Sequence, residues 1–158
     1  MLFLLFQVGQ ERYALEASRV VEVVPLLELK PLAQAPKGVA GIFNYRGRPV
    51  PVVDLSALIL GRPASELLST RIIIVNCPDD PGGSHLLGLI AERATGMLRK
   101  DAREFMDPGW KEGSSPHPGP MLMDPSGPIQ WVHEQRWLPQ GVSKLLFSQL
   151  AVGDHEAM

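Results

Sequence analysis

Apolar positions in this chain come in short, mostly β-branched runs cut by Gly and Pro, not in the three-and-four spacing of amphipathic helices. Residues 2–8 ("LFLLFQV") read as a first strand, Gly9-Gln10-Glu11 as a turn, and Tyr13 to Glu16 as the returning strand. One helical turn around Ala17 precedes a strand in "SRVVEVVP" (18–25), and a connection spaced by Pro25, Pro31 and Pro36 leads to "GIFNYRGRPVPVVDL" (41–55). That stretch is two β-branched runs around a Tyr-Arg-Gly-Arg turn, a hairpin signature. In "DLSALILGRP" either Asp54 or Ser56 can cap a short helix by accepting its first amides, and Gly61 with Pro63 ends it.

"TRIIIVNC" (70–77) is apolar at consecutive positions, as in a strand buried on both sides. "PDDPGGS" is a turn, and "HLLGLIAERATGML" (85–98) a second strand expected to bend at Gly88. Residues 107–128 are the loosest part. "PIQWVHEQRWL" (128–138) gives a last strand and a turn of helix, "GVSKLLFSQLA" (141–151) a terminal helix, and residues 149–158 a frayed tail after a domain spanning 1–148. Eight or more short strands make the fold class all-β with minor helix, a barrel or sandwich architecture.

Composition narrows the partners. The 158 residues hold 45% hydrophobic and 20% charged side chains, ordinary for a soluble globular chain. A net charge of -2, with 15 Lys and Arg scattered singly, argues against a nucleic-acid partner. A small-barrel nucleic-acid binder stays as a rival that would also need an aromatic stacking platform. Cys77 is the single cysteine, so no internal disulfide forms and a reducing compartment is the simpler reading. The opening "MLFLLFQ" has no basic flank or cleavage site of a signal peptide, and no run reaches the roughly 18 apolar residues of a spanning helix. The expectation is a cytoplasmic protein with no direct membrane insertion.

Candidate chemistry is sparse. Asp54 as a catalytic acid needs a partner and a shifted pKa that the sequence does not supply, and a cap explains it more simply. A hydrolase pairing Asp54 with His85 or His133 would require their convergence in one pocket. His85, His117, His133 and His155 lack the local spacing of zinc ligands, so no metal is expected. Cys77 before Pro78 reads as a small buried hydrophobe. There is no GxGxxG after a strand, no GxxxxGK[ST] and no GxSxG, so neither a cofactor, a small-molecule ligand nor an enzymatic function is expected.

Alternation along the strands raises a different possibility. If Val21 and Val23 point inward, Val20, Glu22 and Val24 point outward together. If Phe43 and Tyr45 point inward, Ile42, Asn44 and Arg46 share the other face. Each outward set mixes apolar residues with one charge, which suits docking: apolar area for affinity and charge for register. The competing reading is that both faces are buried between stacked barrels.

The order of these motifs resembles the CheW-type coupling domain. "FLLFQVGQERYALEASRVVEVVP" comes first, then "GVAGIFNYRGRPVPVVDL", similar to that family's G-V-x-N-x-R-G-x-x-x-P-V-x-D-L signature. "TRIIIVN", "LLGLIAERATGML" and "PIQWVHEQRWL" follow, so the resemblance spans about residues 1–147. It implies two small five-stranded SH3-like β-barrels sharing a hydrophobic core, with no catalysis and no cofactor. It also implies a scaffold bridging a chemoreceptor's cytoplasmic tip to the regulatory domain of a CheA-type histidine kinase in an array recruited to membrane-associated receptor clusters. Carried over, Arg46 matches the signature arginine, with Asn44 before it and Gly41 and Gly47 around it. Val20 and Glu22 match the partner-contacting strand, with Val24 and Ile42 beside these positions. Asp54 matches the signature Asp, a structural role shared with Gly47.

Three departures stand out. Tyr45 replaces the usual Leu or Ile before the arginine, the 107–128 loop is long and Pro-rich, and "QWVHEQRW" is richer in Trp and Gln than the family's aliphatic strand. With the early start and short tail, these features are similar to the smaller coupling proteins of Wsp-type surface-sensing pathways, whose output is cyclic-di-GMP. A protein-interaction domain outside any array is the remaining alternative.

Overall fold

The computed structural model describes residues 1–78, 84–107 and 119–132. Nine strands follow in chain order: β1 (Leu2–Val8), β2 (Glu11–Glu16), β3 (Val20–Pro25), β4 (Val39–Tyr45), β5 (Arg48–Asp54), β6 (Arg71–Pro78), β7 (Ser84–Arg99), β8 (Met121–Asp124) and β9 (Gly127–Trp131). Among the described residues one α-helix, α1 (Leu55–Leu60), follows β5, and 3-10 turns occupy Ala17–Arg19 and Ala102–Glu104. The all-β expectation therefore holds, including the helical turn at Ala17.

The strands form two five-stranded groups that share β7. Its first half pairs antiparallel with β6 (Ile74 opposite Gly88) and parallel with β5 (Val53 opposite Leu89). Its second half pairs with β1 (Leu4 opposite Met97). The first barrel is thus β1, β2, β9, β8 and the end of β7; the second is β3, β6, β5, β4 and the start of β7. The open side of each is met by one isolated bridge, Met106 to Met121 in the first and Lys30 to Ile42 in the second.

Three apolar clusters fill this frame. Phe3, Ala14, Phe105, Leu122 and Ile129 belong to the first barrel. Val52, Ile72, Ile74 and Ile90 belong to the second. A third cluster takes Leu4, Phe6, Val8 and Leu15 from one side and Val53, Leu55, Ile73 and Val75 from the other. Strand β6 explains its own composition: Ile72 and Ile74 face the second barrel while Ile73 and Val75 face the common core. Burial on both faces selects the consecutive β-branched residues read there.

Asp54 settles the capping question. Its Oδ1 accepts from Ser56 N at 3.0 Å and Ala57 N at 3.2 Å, and its Oδ2 accepts from Ala64 N at 3.0 Å. Gly61 closes α1 in the left-handed conformation, its N–H donating to Ala57 O. Two other expectations need correction. Strand β7 has no register break at Gly88, where an added Cβ would stand 3.0 Å from methyls of Ile72 and Val52. The irregularity lies where β1 slips between Leu5 and Gln7, opposite Arg93 at φ 49°. Strand β8 also falls inside the segment read as loose. The 79–83 turn, most of the Pro-rich loop with His117, His133, the terminal helix and the 149–158 tail with His155 lie outside the described residues.

Candidate docking surface

The β4–β5 hairpin turns on two residues, Arg46 (φ 52°) and Gly47 (φ 83°), between paired Tyr45 and Arg48. Positive φ at both central positions matches the right-handed strand twist and favours glycine at the second. Asn44 Oδ1 accepts the Gly47 N–H at 2.7 Å, fixing the turn from within. Gly47 and Asn44 thus both take part in forming the turn, and Asn44 is also exposed.

Because of that turn, Arg46 leaves the face of Ile42 and Asn44. Its guanidinium carbon lies 5.2 Å from the centroid of the Tyr45 ring, and its NH2 nitrogen lies 3.6 Å from Glu22 Oε2. The Tyr45 hydroxyl donates to the same Glu22 oxygen. Glu22 lies on β3 and Arg46 in the turn of a hairpin that does not pair with β3, yet they meet on the surface with Tyr45 between them. The Arg46 side chain is 76% exposed and that of Glu22 40%. The hydrogen bond to Glu22 raises the Tyr45 phenol above its ordinary value of 10.0; desolvation adds to the rise and the Arg46 cation opposes it.

Beneath the charged group, Phe43 and Tyr45 pack inward onto the second barrel's cluster with Val24. Behind the turn, Lys30, Ile42, Phe43, Asn44, Gly47 and Pro49 line an open recess of about 340 Å³.

The facing expected for β3 needs correction. A bulge shifts the register between Val20, opposite Val75, and Glu22, opposite Ile74. The extra residue is Val21, which is 47% exposed, while Val20 and Val23 both pack against the common core. Val20 and Val24 are half-buried packing residues, and the exposed valine is one the alternation placed inside. Gly41 is also not a surface element. It is buried, and a Cβ there would stand 2.5 Å from Lys30 O, so its role is to admit the 29–30 backbone. That approach is fixed by two backbone hydrogen bonds between Lys30 and Ile42, at 2.8 and 2.9 Å. Tyr45, noted in the sequence only as a departure, is the residue that joins the other two. Its signal was the polar tip on an inward-facing aromatic.

Among the described residues, no group of three His, Cys, Asp or Glu is placed to hold a metal ion. No helix there is long and apolar enough to cross a membrane. Asp54, the one acid considered for catalysis, spends both oxygens on backbone amides.

Comparison with known proteins adds an independent line. A family model described as "CheW-like domain" matches residues 2–122. The chemotaxis protein CheW of Klebsiella aerogenes is 26% identical over 103 residues, covering 65% of this chain and 59% of that protein. CheW of Treponema pallidum is 29% identical over 108 residues, covering 65% and 60%. Protein FrzA of Myxococcus xanthus is 27% identical over 106 residues, covering 67% and 63%. The chain thus spans roughly 60% of the length of these curated relatives. The crystal structure of the scaffolding protein TtCheW from Thermoanaerobacter tengcongensis superposes with a TM-score of 0.74 at 21% identity, covering 89% of each chain. At that identity the likeness carries the fold, and it agrees with the two barrels described above.

Proposed function

This chain belongs to the CheW-like domain family, whose model covers residues 2–122, and from that premise we propose that it is a coupling adaptor without catalytic activity. It joins the cytoplasmic tip of a chemoreceptor to the regulatory domain of a CheA-type histidine kinase. It needs no cofactor, and it reaches the membrane through its receptor partner. The observation that carries the reading is the meeting of Glu22, Tyr45 and Arg46 at one exposed end of the second barrel. A surface with an exposed arginine, a carboxylate beside it and an apolar floor suits recognition better than bond chemistry.

The output of such a protein is geometry. Holding receptor and kinase at a fixed separation lets a small receptor motion bias the kinase between two states. Each contact is modest alone, and simultaneous engagement in an array raises the effective affinity. Within the family the resemblance of "QWVHEQRW" and the Pro-rich segment supports a Wsp-type pathway with cyclic-di-GMP as output. Genes for a receptor, a kinase and a cyclic-di-GMP-producing regulator beside this one would bear that out; a flagellar-switch cluster there would overturn it.

The central test is a pull-down of a receptor cytoplasmic fragment and a kinase regulatory domain by the wild-type chain and Arg46→Ala. The expected result is loss of capture with an unchanged melting transition. An Arg46→Ala protein that captures both partners normally, or that only fails when unfolded, removes Arg46 from the contact.

A further inference from the structure

Glu22 Oε2 is approached by two groups, and they are not equivalent. The Tyr45 hydroxyl makes a hydrogen bond to it, whereas the nearest Arg46 nitrogen stands 3.6 Å away, outside hydrogen-bond distance. The guanidinium is instead held over the Tyr45 ring. Arg46 is therefore ion-paired to its carboxylate without a hydrogen bond to it, and it remains 76% exposed. Elsewhere in the molecule Arg12 and Arg103 bond their aspartates at 3.1 and 3.0 Å. At Glu22 a tyrosine hydroxyl holds the oxygen that the guanidinium approaches.

We propose that Tyr45 is a specificity-determining residue that occupies Glu22 and so keeps Arg46 available for a carboxylate presented by the docking partner. This rests on the coupling reading above and deepens it by naming the chemistry of the partner's contact: an Asp or Glu side chain, met by the planar fork of the guanidinium. The ring fixes where the guanidinium lies, and the hydroxyl takes up the Glu22 oxygen nearest to it. Without the hydroxyl, Glu22 and Arg46 close on each other as a direct pair, and an incoming carboxylate has to displace an internal one. A Leu or Ile before the arginine supplies neither ring nor hydroxyl, so this device belongs to chains with tyrosine at that position.

The experiment measures affinity for a receptor cytoplasmic fragment and for a kinase regulatory domain by titration calorimetry. It uses Tyr45→Phe, Glu22→Gln, the double variant, Arg46→Ala and Arg46→Lys. Tyr45→Phe keeps the ring and removes only the hydroxyl. The expected result is binding to at least one partner weakened about threefold to tenfold, the range of one lost hydrogen bond. Adding Glu22→Gln should erase the Tyr45→Phe loss, measured against Glu22→Gln alone, because the internal competitor is gone. Arg46→Lys should not substitute, since a lysine lacks the fork. A merely structural tyrosine would lower the melting temperature and would not be rescued by Glu22→Gln. Wild-type affinity in Tyr45→Phe, or a loss that Glu22→Gln leaves in place, overturns the inference. Wild-type affinity in Arg46→Ala for both partners overturns the coupling site itself, so the two failures are distinguishable.

Discussion

The two barrels each carry an arginine–carboxylate pair, and the pairs are built for different work. In the first barrel Arg12 on β2 reaches Asp124 on β8 at 3.1 Å, with side chains 25% and 23% exposed. Ser126 joins them, accepting from Arg12 at 2.8 Å and donating its hydroxyl to Asp124. That arrangement ties the start of β2 to the β8–β9 turn, parts of the chain far apart in sequence. In the second barrel Arg46 and Glu22 stand 3.6 Å apart and are far more exposed. As in the first barrel, where Met106 meets Met121, the open side there is met by a backbone bridge, Lys30 to Ile42. The same pair of residue types is a fastener where it is tight and sheltered, and a presented surface where it is loose and open.

This contrast can be broken in four places. The largest effect is expected in the first barrel's aromatic trio, where Phe3 meets Phe105 and Trp131 at ring-centroid distances of 5.1 Å each. Phe3→Ala should cost about 3–5 kcal/mol in denaturant unfolding while partner capture survives below the lowered midpoint. Loss of capture by the folded variant would mean the barrels do not divide the labour. Next, Asp54→Ala should cost about 0.5–2 kcal/mol as a lost cap, again with docking intact, as read by thermal melts and pull-down side by side.

The third is a pH experiment. Hydrogen bonds from the Ser126 side chain and backbone, then from Arg12, hold the Asp124 carboxyl at about 2, below its ordinary 3.8. A folded-state value below the unfolded one means the stabilising contribution is present above pH 3.8 and lost as pH falls toward 2. The melting temperatures of wild type and Asp124→Asn should therefore differ most at neutral pH and converge in that window. A gap that stays constant down to pH 2 would show that the carboxylate is not the source. The smallest stability effect belongs to Arg46→Ala, expected within about 0.5 kcal/mol of wild type although its effect on capture is large. High salt should shrink the Arg46 contribution to binding more than it changes any melting curve.

How much of this was legible in the sequence follows from what sets each feature. The consecutive β-branched residues of β6, the Asp54 cap and the Arg46-Gly47 turn were readable because local chemistry dictates them. The facing of β3 was not, because one bulged residue, Val21, moves Val20 to the other side of the alternation, and a bulge depends on the partner strand. Gly41 looked like part of a surface motif, but the reason for a glycine is the Lys30 backbone 11 residues earlier, a tertiary contact. Arg46 was expected on the face of Ile42 and Asn44, but a positive φ at the turn takes its side chain to Tyr45 and Glu22. Strand β8 hid in a Gly- and Pro-rich segment because its four residues gain their conformation from β9.

The threading of the chain has a consequence for how the molecule comes into being. The second barrel is drawn from a continuous span, β3 to the start of β7, whereas the first must bring Leu2 to Arg99 and Arg12 to Ile129. Nearby segments find one another sooner than distant ones, so on the ribosome the half bearing Arg46 has all its strands in hand while its neighbour waits for β8 and β9 to be translated. Pulse-labelled hydrogen exchange should show amides of β6 protected ahead of those of β9; the reverse order would contradict this. The newborn chain would then possess its docking end before it possesses its full stability.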